Sequence, residues 1–135
     1  MAAYNKFNCF VADMANKKHN LGSDVLKVAL CAAANAPVAT NTVYTNLTAV
    51  AVTNLDSVTL TVSSSSQTAG TYTLVVADKT MTAAGAVGPF RYIVVYNDTA
   101  TNKELICWFD NASEVTLASG DTFKLDFGAS LFSLA

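Results

Sequence analysis

The run Gly88–Asp110, GPFRYIVVYNDTATNKELICWFD, limits the fold more than any other part of the chain. It reads as two apolar strands, near residues 90–97 and 104–110, joined by a short polar turn. Phe90, Tyr92, Tyr96, Trp108 and Phe109 fall inside it, with Ile93, Val94, Val95, Leu105 and Ile106. Two strands alone bury too little surface to persist in water. The hairpin must therefore be the centre of a larger sheet with a covered face. It carries no catalytic signature.

Strand signals recur on both sides. Val25–Ala32 alternates Leu26, Val28 and Leu30 against Lys27, Ala29 and Cys31, and Pro37 follows, lacking the N–H a central strand needs. Residues 42–53 are rich in β-branched side chains but weakly periodic, and Leu47–Val52 is compatible with helix. Val58–Val62, Thr71–Ala77 and Lys79–Thr82 read as short strands. Val115–Leu117 and Thr122–Phe127 flank ASGD as a further hairpin. The stretch SSSSQTAG, residues 63–70, has nothing to bury, so an exposed, mobile loop is expected there. Leu131–Ala135 is apolar, which suits a tail tucked against a sheet edge or an interface.

Ahead of the strands, residues 3–18 predict an amphipathic helix. Tyr4, Phe7, Phe10, Val11 and Met14 are three or four apart on one side, with Asn5, Lys6, Asn8 and Asp13 opposite. Lys17, Lys18 and His19 crowd its last turn and Gly22 stops it. Such a helix either covers a sheet of its own subunit or docks its aromatic face on a neighbour. The expected fold is all-β: one domain over residues 1–135, an antiparallel β-sandwich or jelly-roll-like barrel with an N-terminal amphipathic helix.

Composition narrows the function. Charged residues make up 13 % of the chain and hydrophobic ones 52 %, against a usual charged share of about 25 %. The surface must then be mostly Thr, Ser, Asn and Ala, as suits a part of an assembly. The eight cations are scattered and the net charge is −2, so the clustered positive footprint of a nucleic-acid binder is missing. No apolar stretch approaches the roughly 18 residues of a membrane span. The N-terminus has no secretory pattern, so cytoplasmic synthesis is expected. Cys9, Cys31 and Cys107 have no zinc spacing and read as buried free thiols.

Catalytic and cofactor chemistry is likewise not indicated. The single histidine, His19, has no nucleophile elbow to serve and reads as a helix-end residue. Asp110 and Glu114 are a conceivable glycosidase pair, and no acidic loop matches a calcium pattern. The sequons at Asn46, Asn97 and Asn111 are expected by chance in a chain rich in Asn and Thr. Tyr44, Tyr72 and Trp108 could line a sugar groove, but core packing is the more ordinary use of such residues. No enzyme, metal or cofactor is expected.

The segments YNKFN (Tyr4–Asn8), His19-Asn20-Leu21, Ser23-Asp24, Leu26-Lys27-Val28, Ala36-Pro37 and GPFRYIVVYNDT (Gly88–Thr99) together resemble a family of small structural proteins of tailed bacteriophages. The resemblance covers both ends of the chain and about two-thirds of it. It is weakest over 45–62, where VTNLDSVTLTV stands in place of a glycine-rich stretch. It implies a virion part with no catalytic motif, of the kind that decorates or cements a capsid. On that reading the partners are the major capsid protein and the chain itself, as a dimer or trimer, on the capsid surface after synthesis in the host cytoplasm. Tyr4, Phe7, Phe10, Met14, Ser64, Ser65 and Leu134 are the candidate contact residues. A tail, baseplate or fibre-associated β module and a carbohydrate-binding module are the alternatives.

Overall fold

The computed structural model describes residues 3–135. It is an all-β fold with one short helix, built from antiparallel sheets that pack as a sandwich and close no barrel. The order is β1 (Ala3–Lys6), α1 (Cys9–Ala15), β2 (Leu26–Cys31), β3 (Val62–Thr68), β4 (Thr71–Val76), β5 (Lys79–Thr82), β6 (Val87–Asn97), β7 (Leu105–Leu117), β8 (Thr122–Leu125) and β9 (Phe132–Leu134).

The central hairpin is β6–β7, and both strands run longer than their apolar cores suggest. Its sheet has the order β1-β7-β6-β2. Alternation sends Leu26, Val28, Leu30, Ile93, Val95 and Phe109 to one face. There they meet Leu74 and Val76 of the β3-β4-β9 sheet, and Met81 and Leu125 of the β5-β8 pair, in the main core. Ala29, Cys31, Val94, Tyr96 and Leu105 point the other way. Phe7, Tyr44, Leu47 and Ala49 cover them in a second, smaller core. Tyr96 pairs with Leu105 and Val95 with Cys107, so Ile106 is an extra residue in β7. This bulge turns both Ile106 and Cys107 toward the main core.

Four expectations need correction. The helix is seven residues long and not sixteen: Ala3–Lys6 is a strand paired with β7, with Tyr4 opposite Phe109. The reason is that Phe7 and Phe10 serve different cores, which one stripe of one helix cannot do. Lys17, at φ 63, ends the helical path ahead of His19. Second, the serine tract is not a loop but β3, paired with β4 from Val62 to Thr68. Ala69 (φ 51) and Gly70 (φ 83) make the two-residue turn, with the positive φ at both positions that a primed hairpin turn needs. Third, the ASGD turn does not fold β8 back on β7; β8 pairs with β5. Asp121 closes the turn through the Ala118 N–H (2.9 Å), and the Gly120 N–H reaches Ala83 O at 2.7 Å, which steers the chain to the other sheet. Fourth, Val58–Val62 is no full strand. It meets β2 at the single bridge Lys27–Thr59, and Leu60 N–H donates to Leu26 O at 2.9 Å. Residues 42–53 hold a 3-10 turn at Tyr44–Asn46 and single bridges from Val43 to Glu104 and from Ala49 to Cys31, and are otherwise irregular.

The tail does tuck against a sheet. β9 adds to the edge of β4, with Tyr72 opposite Leu134 and Leu74 opposite Phe132.

Candidate functional site

The ionisable side chains are mostly consumed by structure. Arg91 holds Asp110 in a two-point contact at 2.8 and 3.0 Å, which keeps the carboxyl below its ordinary range. Glu114 accepts the Ala33 N–H at 3.2 Å. Both carboxylates of the conceivable glycosidase pair thus make contacts within the fold, and Glu114 stays exposed. Asp98 pairs with Lys27 and Lys103, and Lys124 with Asp78. Among the described residues no group of three or more His, Cys, Asp or Glu has metal-binding geometry. Cys31 and Cys107 are buried free thiols and Cys9 is half-buried. Among the described residues no helix is long and apolar enough to cross a membrane.

The three aromatic residues nominated for a sugar groove do not share one. Trp108 stacks on Phe7 at 4.6 Å and Tyr44 on Tyr96 at 4.9 Å, both against the second core. Tyr72 lies in the other sheet against Phe132, at 6.1 Å.

The nominated contact residues separate into three groups. Phe7 and Phe10 are fully buried in the chain's own cores and offer nothing to a partner. This is a correction, and the cause is the tertiary packing: Phe10 lies edge-on to Phe132 at 5.0 Å. Tyr4 sits apart on β1, 39 % exposed, with its ring against Phe109 at 5.7 Å. Ser64, Ser65, Met14 and Leu134 gather around the β3–β4 hairpin. Ser65 and Met14 line one open groove of about 600 Å³ with Tyr72, Leu21, Lys17 and His19. Ser65 Oγ and Tyr72 Oη are 2.8 Å apart and share a hydrogen bond. Leu134 is half-buried beside Tyr72 on the next strand, and Ser64 is exposed on the hairpin.

β3 also forms an unpaired edge. In the order β3-β4-β9 its far side has no neighbour among the described residues. Six of its seven residues are exposed, so the hairpin extends past the core it springs from. No charged residue and no proline lies between Ser57 and Ala77. Natural edges are usually blunted by shortness, lysine, proline or a bulge. Other edge strands follow that habit: β1 has four residues ending in Lys6, β9 has three, and β5 and β8 carry Lys79 and Lys124. β3 shows a bulge only at its start, between Val62 and Ser64. Sequence reading missed this edge because a polar strand has no apolar alternation to announce it. The signal available was Thr-Ala-Gly-Thr, a turn followed by an obvious strand that needs a partner.

Comparison with family models, with curated proteins and with solved structures finds no match.

Proposed function

We propose that this chain is a non-enzymatic structural protein of a tailed-phage particle, a capsid decoration protein that lays the β3 edge and its adjoining groove against the major capsid protein. The observation that carries the reading is the long, neutral, unpaired β3 edge, in a chain that ties most of its carboxylates and half of its cations into its own fold. The resemblance of Tyr4–Asn8 and Gly88–Thr99 to small phage structural proteins supports the virion setting.

The chemistry at such an edge is main-chain hydrogen bonding to an added strand, with side-chain pockets supplying selectivity. Seven residues span only about 24 Å at roughly 3.4 Å each. One such contact falls short of the roughly 1,000 Å² typical of a stable interface. It becomes effective when several copies act together on a repeating lattice, as a dimer or trimer at a symmetry axis would. A low surface charge keeps neighbouring copies from repelling one another.

Cryo-electron microscopy of the particle with and without the gene tests the proposal. Density lost from the head lattice, with a strand added at β3, is the expected result. Density lost from the tail with an unchanged head would transfer the chain to the alternative, a tail or baseplate module.

A further inference from the structure

His19 lies in the wall of the groove, 7 % exposed, with its ring centroid 5.5 Å from that of Phe10. Its partner is Asn97, the fully buried last residue of β6. Asn97 Oδ1 accepts the N–H groups of Thr99 (3.0 Å) and Ala100 (3.1 Å). Asn97 Nδ2 donates to Asp24 Oδ2 at 2.6 Å and lies 3.0 Å from His19 Nδ1. Flipping the amide would set its oxygen against a carboxylate and its nitrogen against two N–H donors. The amide orientation is thus fixed by four neighbours, and Nδ1 of His19 has to be an acceptor. The ring is then neutral with its proton on Nε2.

Charged and titratable groups face the ring from each packed element. Asp13 comes from α1, with the Cys9 thiol beside it, Asp24 from the connection to β2 and Glu104 from the residue before β7, while Lys17 and Tyr72 line the same groove. Asp13 Oδ2 and Glu104 Oε2 are buried without a hydrogen-bond partner, as is His19 Nε2. Two acceptors therefore stand ready for a donor that the neutral ring, tied to Asn97, does not bring to them.

We propose that His19 is an acid-operated latch: a proton on Nδ1 sets two donors face to face with Asn97, and the ring leaves Asn97 for the carboxylates of Asp13 and Glu104, loosening residues 16–25 and reshaping the groove beside Met14 and Tyr72. The two states use different partners for the same side chain, which is what a two-state switch requires. The proton comes from solvent and no bond other than N–H is made. Burial, the largest influence, lowers the pKa of the imidazole from its ordinary 6.5, while the three carboxylates pull it up. The latch therefore stays closed at neutral pH and opens in acid. It operates whether or not the groove docks a capsid.

Nitrogen-15 NMR of the histidine ring from pH 7.5 to 4.5 tests this on the intact chain. At pH 7.5 the Nε2–H tautomer is expected. Titration should fall below 6.5, with the Asn97 side-chain amide and the amides of 18–24 moving in the same step. Hydrogen exchange of those amides, corrected for intrinsic rate, should quicken about tenfold per pH unit below 6.5, since one proton drives the opening. A proton on Nδ1 at pH 7.5, or a titration that leaves the Asn97 amide unmoved, overturns the proposal. His19→Phe keeps the ring packing and should abolish the acid step; persistence of the step in a folded His19→Phe protein would overturn it as well. Should that variant fail to fold, the wild-type titration decides alone.

Discussion

Phe10 and Phe132 meet edge-on, with centroids 5.0 Å apart and ring planes at 72°. The contact joins the only α-helix among the described residues to the last strand, and it buries an aromatic ring that amphipathic periodicity alone leaves equally open to the chain's own sheet or to a partner. Truncating it exposes the difference between a core residue and a docking residue. Phe10→Ala should cost about 3–5 kcal/mol and lower Tm by roughly 10 °C or more. Phe7→Asp should abolish folding outright, because it places an unpaired charge in the second core. Circular dichroism melts check both; a folded Phe7→Asp protein would return the helix region to the docking surface.

Edge charges should separate binding from folding. Ser64→Lys with Ser66→Lys places two cations on exposed positions of β3. Stability should change by no more than about 0.5 kcal/mol, whereas binding to gene-deleted capsids should be lost in a sedimentation assay. Undiminished binding would remove β3 from the contact.

The hairpin turn is suboptimal, since Ala69 holds φ 51 where asparagine or glycine is at ease. Ala69→Asn should stabilise the protein by about 0.5–1 kcal/mol, raising Tm by a few degrees. A lower Tm would show that the β3–β4 turn differs from the one described.

Stability should depend on His19 with a definite sign. The folded-state pKa is lowered, so the unfolded chain binds the proton more readily. The contribution is whole above 6.5 and is lost as pH falls from there through the lowered folded-state value. Urea midpoints from pH 7.5 to 5 should therefore decline in wild type and be flatter in His19→Phe. Parallel slopes would exclude His19 as the source.

The thiols should be inert in the native state. Burial pushes Cys9 and Cys31 up to about 11, and Cys107 further. Ellman's reagent at pH 8 should find almost no thiol before denaturation and three after it. Rapid native labelling at Cys9 would mean that the α1 region opens more freely than its packing implies.

What was legible in the sequence was what hydrophobic alternation encodes. β2 and the β6–β7 hairpin, and the fold class that follows from them, stand where Leu26–Cys31 and Phe90–Phe109 indicated. Three features were hidden for separate reasons. β3 is polar on both faces, so only its pairing with β4 makes it a strand. Tyr4, Phe7 and Phe10 have helical spacing, yet Tyr4 is in a strand and the two phenylalanines serve opposite cores. The His19 centre draws Asp13, Asp24, Asn97 and Glu104 from distant parts of the chain, and Asn97-Asp98-Thr99 looked like a chance sequon. Its asparagine is buried and fully committed to hydrogen bonds, which no local pattern reveals.

The place of β9 sets an order of events during synthesis. Leu131 and Phe132 belong to the same core as Phe10 and Leu26, so that core stays open until residue 132 has been made and has left the ribosome. Until then residues 3–130 lack two members of that core. A ribosome that stalls after β8 would release a product whose Phe10 has no Phe132 to meet, a substrate for proteases rather than a shorter working protein.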